Sequence, residues 1–132
     1  MSRRRKIISW ILIGLTGALT VFSAIGKLTA GPDAMIAQNF IKWGLEGKLT
    51  LIGSQELLIA LLFLIPRTSS LGVLLMTGHY AGAIVTHLEH GEEMLMSVPA
   101  LILLIAWIGY YLRYPEMLVS LRKQKQIPKE RE

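Results

Sequence analysis

Residues 51–66 read LIGSQELLIALLFLIP. Across 49–66, eleven residues are Leu, Ile or Phe, and one, Glu56, carries a formal charge. At a helix centre each of those apolar residues favours membrane insertion by about 0.3–0.6 kcal/mol, against a cost of roughly 3 kcal/mol for one acid. The segment therefore inserts in a bilayer in spite of Glu56. A carboxylate at that depth calls for a partner.

Three further segments have the same character. A helix needs about 20 mostly apolar residues to cross the hydrocarbon core. Residues 7–26, IISWILIGLTGALTVFSAIG, carry no charge. Residues 70–88, SLGVLLMTGHYAGAIVTHL, carry His79 and His87 as titratable groups. Residues 94–112, MLMSVPALILLIAWIGYYL, include Pro99 near their start, which a membrane helix tolerates when neighbours satisfy the freed carbonyl. The basic start of the first segment also suits a signal peptide, but its apolar run exceeds the usual core and three more spans follow.

The chain has 132 residues, a 52 % apolar composition and no cysteine. The missing thiols remove disulfides, thiol redox chemistry and Cys-based zinc or iron–sulfur sites. The net charge of +5 is unevenly placed. With the N-terminus inside, residues 1–6, 67–69 and 113–132 are inside and hold 11 of the 14 Lys and Arg. Only Lys27, Lys42 and Lys48 are outside. This bias predicts four spans with both termini cytoplasmic. Trp10, Trp107, Tyr110, Tyr111 and Tyr114 then gather near the inner interface, where amphipathic rings are favoured. Basic ends around an apolar middle point to a lipid bilayer as the partner rather than to nucleic acid.

The expected fold is all-α: an integral membrane four-helix bundle forming one domain over residues 1–121, with a basic cytoplasmic tail at 122–132. The first outer loop contains GPDAMIAQNFIKWG (31–44), with Ile36, Phe40 and Trp43 on one helical face. It predicts a short interfacial helix lying on the outer surface or capping the bundle. A loosely ordered loop is the alternative.

Glu56 lies about 10 Å below the outer end of its span. Gly53 and Ala60 share its face, and small residues let helices approach, so Glu56 points into the bundle. In the first span Thr16, Thr20, Ser23 and Lys27, spaced 4, 3 and 4, form a polar stripe ending at the outer boundary. His79 lies at a depth close to that of Glu56, with Gly78 and Gly82 as a GxxxG close-packing signal beside it. His87 is two turns higher. Together these predict an outward-opening pocket lined by Lys27, Glu56, His79 and His87. Two plainer readings stand beside it: a Lys27–Glu56 pair that only braces two helices, and a Lys27 that snorkels to the headgroups. In the outer loop, THLEHGEE (86–93) could hold a divalent cation, but a short solvated loop has the same composition and is the reading preferred. Bis-histidine haem needs facing histidines on separate helices, and only one span supplies them. The sequence contains no nucleophile–histidine–acid arrangement, no phosphate-cradling glycine loop and no HExxH.

FSAIGKLTAG (22–31), GSQELLIALLFLIPRTSSLGVLLM (53–76) and AGAIVTHLEHGE (81–92) resemble the DoxX-like family of small bacterial membrane proteins. The carriers are Gly26–Lys27–Leu28, Gly53 to Glu56 with Pro66, and Ala81 to Thr86–His87, over roughly residues 8–112. His79 is not part of that pattern. The resemblance implies a four-helix fold in the bacterial inner membrane and relatives in redox metabolism, among them a quinone-linked subunit of a thiosulfate-oxidising complex. It implies little chemistry: the first function weighed is an accessory or subunit of membrane redox metabolism with a membrane or cytoplasmic redox partner, not catalytic on its own, whose cofactor is unknown, a quinone or other lipophilic ligand being one candidate and neither haem nor an iron–sulfur cluster being expected from the residues. The cysteine-bearing relatives are excluded as a guide by the missing thiol. Two other functions compete: a small-molecule binder or transporter acting as a homo-oligomer, and a structural or assembly partner without ligand.

Overall fold

The computed structural model describes residues 1–121. The expected basic tail at 122–132 lies outside the described residues. Among these there are five α-helices and no strand: α1 (Arg3–Leu28), α2 (Met35–Lys42), α3 (Leu49–Leu64), α4 (Ser69–Glu89) and α5 (Ser97–Arg113). A 3-10 segment, Pro115–Leu121, follows α5. Four helices close a ring in which α1 and α4 each pack against both α3 and α5.

Local chemistry sets the ends. Ser2 caps α1 by accepting from the Arg5 amide at 3.2 Å. Pro66 pushes Ile65 into an extended conformation, and α3 stops at Leu64, two residues short of the expected end. Helix α5 begins at Ser97, three residues later than expected, because residues 94–96 form turns. Pro99 therefore sits in the first turn, where an amide hydrogen has no helical partner to lose, and needs no help from neighbours. Two helices, α1 and α4, are long and apolar enough to cross a membrane, while α3 and α5 are shorter apolar helices of 16 and 17 residues.

The apolar core of Ile13, Ile59, Phe63, Val73, Met76, Tyr80, Ala106 and Tyr110 fills the centre of the ring. Gly72 makes the tightest approach to backbone: a Cβ there would stand 2.3 Å from the Phe63 backbone nitrogen. Gly53 likewise admits the Lys27 side chain and the Ala24 carbonyl. The GxxxG pair behaves otherwise. A Cβ at Gly78 or Gly82 would meet nothing within 4 Å, so no helix packs there.

Both described ends of the chain meet at one end of the ring. Arg5 Nε donates to the Leu112 carbonyl at 2.9 Å, and the Arg113 guanidinium lies 4.9 Å from the Trp10 ring centre. The opposite end carries α2. Its residues Ile36 and Phe40, with Trp43 just after it, turn inward as the spacing predicts, with Phe40 buried, and α2 caps that end.

Candidate functional site

The site grows from the last turns of α1. Thr16, Thr20, Ser23 and Lys27 recur on one face. Thr16 and Thr20 are buried, and each hydroxyl donates to the carbonyl one turn earlier. Such bonds keep a hydroxyl in an apolar core without an unmatched donor. Lys27 Nζ donates to Ser23 Oγ and to Glu56 Oε2, both at 2.7 Å. Glu56 is held where Gly53 and the fully buried Ala60 let α3 approach α1. Its other oxygen lies 3.4 Å from His79 Nε2 on α4. Lys27, Glu56 and His79, three of the four residues expected to line a pocket, thus form one polar floor. Their side chains are 13 %, 2 % and 9 % exposed.

The fourth residue, His87, lines the same cavity nearer its mouth. It belongs to a second polar group near the mouth, centred on Glu92. His87 Nδ1 is 2.8 Å from Glu92 Oε2, Trp43 Nε1 donates to the same oxygen at 3.1 Å, and Lys42 Nζ donates to Oε1 at 2.5 Å. The Trp43 ring meets His87 edge-on at 5.1 Å. The Lys42 ammonium, then the His87 and Trp43 hydrogen bonds, hold the Glu92 carboxyl down at about 2. Within the 86–93 segment Leu88, Glu89, Gly91 and Glu93 are exposed, while the end of α2 holds Glu92. Among the described residues, no group of three His, Asp or Glu side chains is placed to hold a metal ion.

Between floor and mouth lies a cavity of about 470 Å³. Ile36 and Phe40 of α2 and Trp43 just after it cover it, and Ile52, Pro99 and Ile102 supply apolar wall. One polar residue escaped the sequence reading. The buried Tyr80 exchanges a 2.8 Å hydrogen bond with Thr20 and stands edge-on to His79 at 5.1 Å. A tyrosine in the middle of an apolar span, needing a partner for its hydroxyl, was the available signal. Every buried side-chain nitrogen and oxygen among the described residues has a hydrogen-bond partner.

A family model for DoxX-like proteins matches residues 11–109. The chain belongs to the DoxX-like family. The matched range takes in the floor, the mouth and α2 in full. DoxX-like proteins are membrane proteins, which makes membrane spans the natural reading of the long apolar helices α1 and α4. Comparison with curated proteins and with solved structures finds no match. What a DoxX-like site of this kind can do therefore rests on its geometry. It offers hydrogen-bond donors on a charge-balanced floor, at the base of a largely apolar chamber.

Proposed function

We propose that this DoxX-like protein crosses the bacterial inner membrane four times, as one bundle of α1, α3, α4 and α5 with both termini cytoplasmic. In this reading it is an accessory or subunit of membrane redox metabolism, and it holds a quinone or a small lipophilic ligand above Glu56. The crossing pattern is supported by the basic residues at the end where Arg5 meets Leu112 and by the scarcity of Lys and Arg at the other. At 1.5 Å per residue, α3 and α5 span only about 24–26 Å. Ile65 and the exposed Met94 and Leu95 lengthen the apolar band beside them. A modest local thinning of the bilayer covers the rest.

The ligand reading is carried by one observation: the Lys27–Glu56–His79 floor under an apolar chamber of about 470 Å³. Ligand sites are mostly apolar with a few placed polar groups. A Lys27 or His79 N–H suits a quinone carbonyl, and the Glu56–His79 pair suits proton uptake. Native mass spectrometry of the detergent-extracted protein tests this. A small molecule carried by the wild type and lost from Glu56→Gln supports the site. A ligand-free wild type, with a less stable Glu56→Gln variant, overturns it.

A second reading has its own support. The Lys27–Glu56 pair is complete without a ligand, since no buried side-chain polar atom among the described residues lacks a partner. A protein acting only as an assembly partner would need no more. Deletion would then dissolve a membrane complex that Glu56→Gln leaves intact.

A further inference from the structure

One wall of the cavity is made of glycine. Gly78 and Gly82 line it, and a Cβ on either would meet no atom within 4 Å. At 100° per residue, Gly82 is about 60° around α4 from His79 and about 140° from Thr77. His79 faces Glu56 of α3, while Thr77 accepts a hydrogen bond from Trp107 of α5. Gly82 therefore lies on the flank of α4 turned toward α3, and Gly78, one turn inward and about 100° from His79, lies at the outer edge of the same opening. The exposed Gln55 of α3 lines the same opening. Around it on α4, Leu71, Leu74, Leu75 and Val85 are exposed apolar residues, as a lipid-facing surface requires. At the other end, α2 crosses the mouth and is tied down through Glu92. The side is open where the top is covered.

The floor indicates what such an opening admits. Lys27 uses two of its three N–H bonds on Ser23 and Glu56. His79 is nine-tenths buried, lines the cavity, and has the 3.4 Å approach to Glu56 as its one polar side-chain contact among the described residues. Both can donate to an incoming acceptor. The Lys27 charge is already balanced by Glu56, so a carboxylate head would be set against Glu56 and a cationic head against Lys27.

We propose that the cavity takes a single-tailed membrane amphiphile with a compact, uncharged, carbonyl-bearing head, which enters sideways from the bilayer between α3 and α4. The head meets Lys27 and His79, and the hydrocarbon tail lies across Gly78 and Gly82 into the lipid. This deepens the ligand reading above and rests on it. It makes the two glycines determinants of specificity for the tail and leaves recognition of the head to the floor.

The test uses the full chain in nanodiscs and the quenching of tryptophan fluorescence, Trp43 being in the cavity wall. Three probes are compared: a naphthoquinone with a long prenyl tail, its tailless methyl-naphthoquinone parent, and a long-chain fatty acid. Leucine at position 82 or 78 places a side chain in the path of the tail. Gly82→Leu and Gly78→Leu should each weaken the tailed quinone at least ten-fold and leave the tailless parent within two-fold. Where a leucine variant does not fold, Gly82→Ala, whose added methyl meets open space, should show the same ranking with a smaller change. The fatty acid should bind the wild type at least ten-fold more weakly than the tailed quinone. Equal weakening of both quinones, or no change in either, overturns lateral entry. A fatty acid binding as tightly as the tailed quinone overturns the uncharged head. A wild type that binds no probe overturns the ligand site itself.

Discussion

Removing either half of the Lys27–Glu56 pair separates the forces at the floor. The pair lies between two regimes. Exposed ion pairs are worth about 0.2–1 kcal/mol, while breaking a buried pair costs about 3–5 kcal/mol. Glu56 is 2 % exposed and more than a helical turn from either end of α3, so its carboxylate cannot swing out past a helix end to bulk water. Lys27 is 13 % exposed, sits in the last turn of α1, and keeps Ser23 as a partner. Its flexible stem can turn outward. The two single variants are therefore unequal. Lys27→Met strands a buried carboxylate with only His79 facing it, at a cost of about 3–4 kcal/mol. Glu56→Leu leaves a lysine that can relocate, at a cost of about 1.5–3 kcal/mol, the worth of one charged hydrogen bond. The double variant should cost less than the sum by about 1.5–3 kcal/mol, since each change removes the other's unpaired charge. Reversible unfolding in bicelles, followed by circular dichroism, gives all three numbers. Additivity within about 0.5 kcal/mol, or Glu56→Leu costing more than Lys27→Met, would falsify this account of the floor.

The glycines supply an internal contrast. Gly72→Ala sets a methyl against the backbone of Phe63, which cannot give way, and should cost about 1–3 kcal/mol or more. Gly82→Ala meets open space and should be neutral or slightly stabilising in the same unfolding assay, because a helical glycine is about 1 kcal/mol worse than alanine. At the mouth, the Glu92 carboxyl is held at about 2, well below its ordinary 4.5, chiefly by Lys42 and then by His87. A carboxyl lowered in the folded state contributes stability that is full above pH 4.5 and is lost as pH falls toward 2. A titration of Trp43 fluorescence should accordingly be flat down to pH 4.5 and change below it, and Glu92→Gln should abolish the change; a wild-type midpoint at 4.5 or higher would count against the Glu92 contacts. The absence of native cysteine makes topology directly measurable. In spheroplasts a membrane-impermeant maleimide should label Glu93→Cys, and should label Arg67→Cys only after lysis; labelling of both from outside would sink the four-span arrangement.

Helix positions were legible because each segment carries its own hydropathy, and the proline that trimmed α3 acts on the residue just before it. The α1 stripe was legible because 3.6-residue periodicity places Thr16, Thr20, Ser23 and Lys27 on one face whatever the rest of the chain does. The Glu56 partners followed from depth, which helical rise converts directly from residue number. One reading failed where the answer depended on a neighbour the sequence does not specify. Gly78 and Gly82 have the spacing of a packing motif, but small residues permit close approach without compelling it, and here no helix occupies the space. His87 lines the same cavity at its mouth, where Glu92 and Trp43 hold it. The charge cluster at 86–93 could be matched with Lys42 and Trp43 only by knowing how the 27–48 loop folds back.

The two readings of Glu56, brace and ligand site, are coupled by the cost of burying charge. An unpaired carboxylate at this depth would lose too much hydration to stay ionised in an apolar chamber. Lys27 supplies the compensation that allows a polar floor to exist beneath apolar walls. That same compensation leaves the floor with little net charge, so what it presents upward is hydrogen-bond capacity from Lys27 and His79. A brace of two neutral side chains would join α1 to α3 as well, but would offer a weaker donor to an incoming carbonyl. The ion pair thus links stability to selectivity. Substitutions that keep the helices joined while removing the charges, such as Lys27→Met with Glu56→Leu, should recover much of the stability and none of the head-group binding. Recovery of both would show that the cavity shape alone selects the ligand.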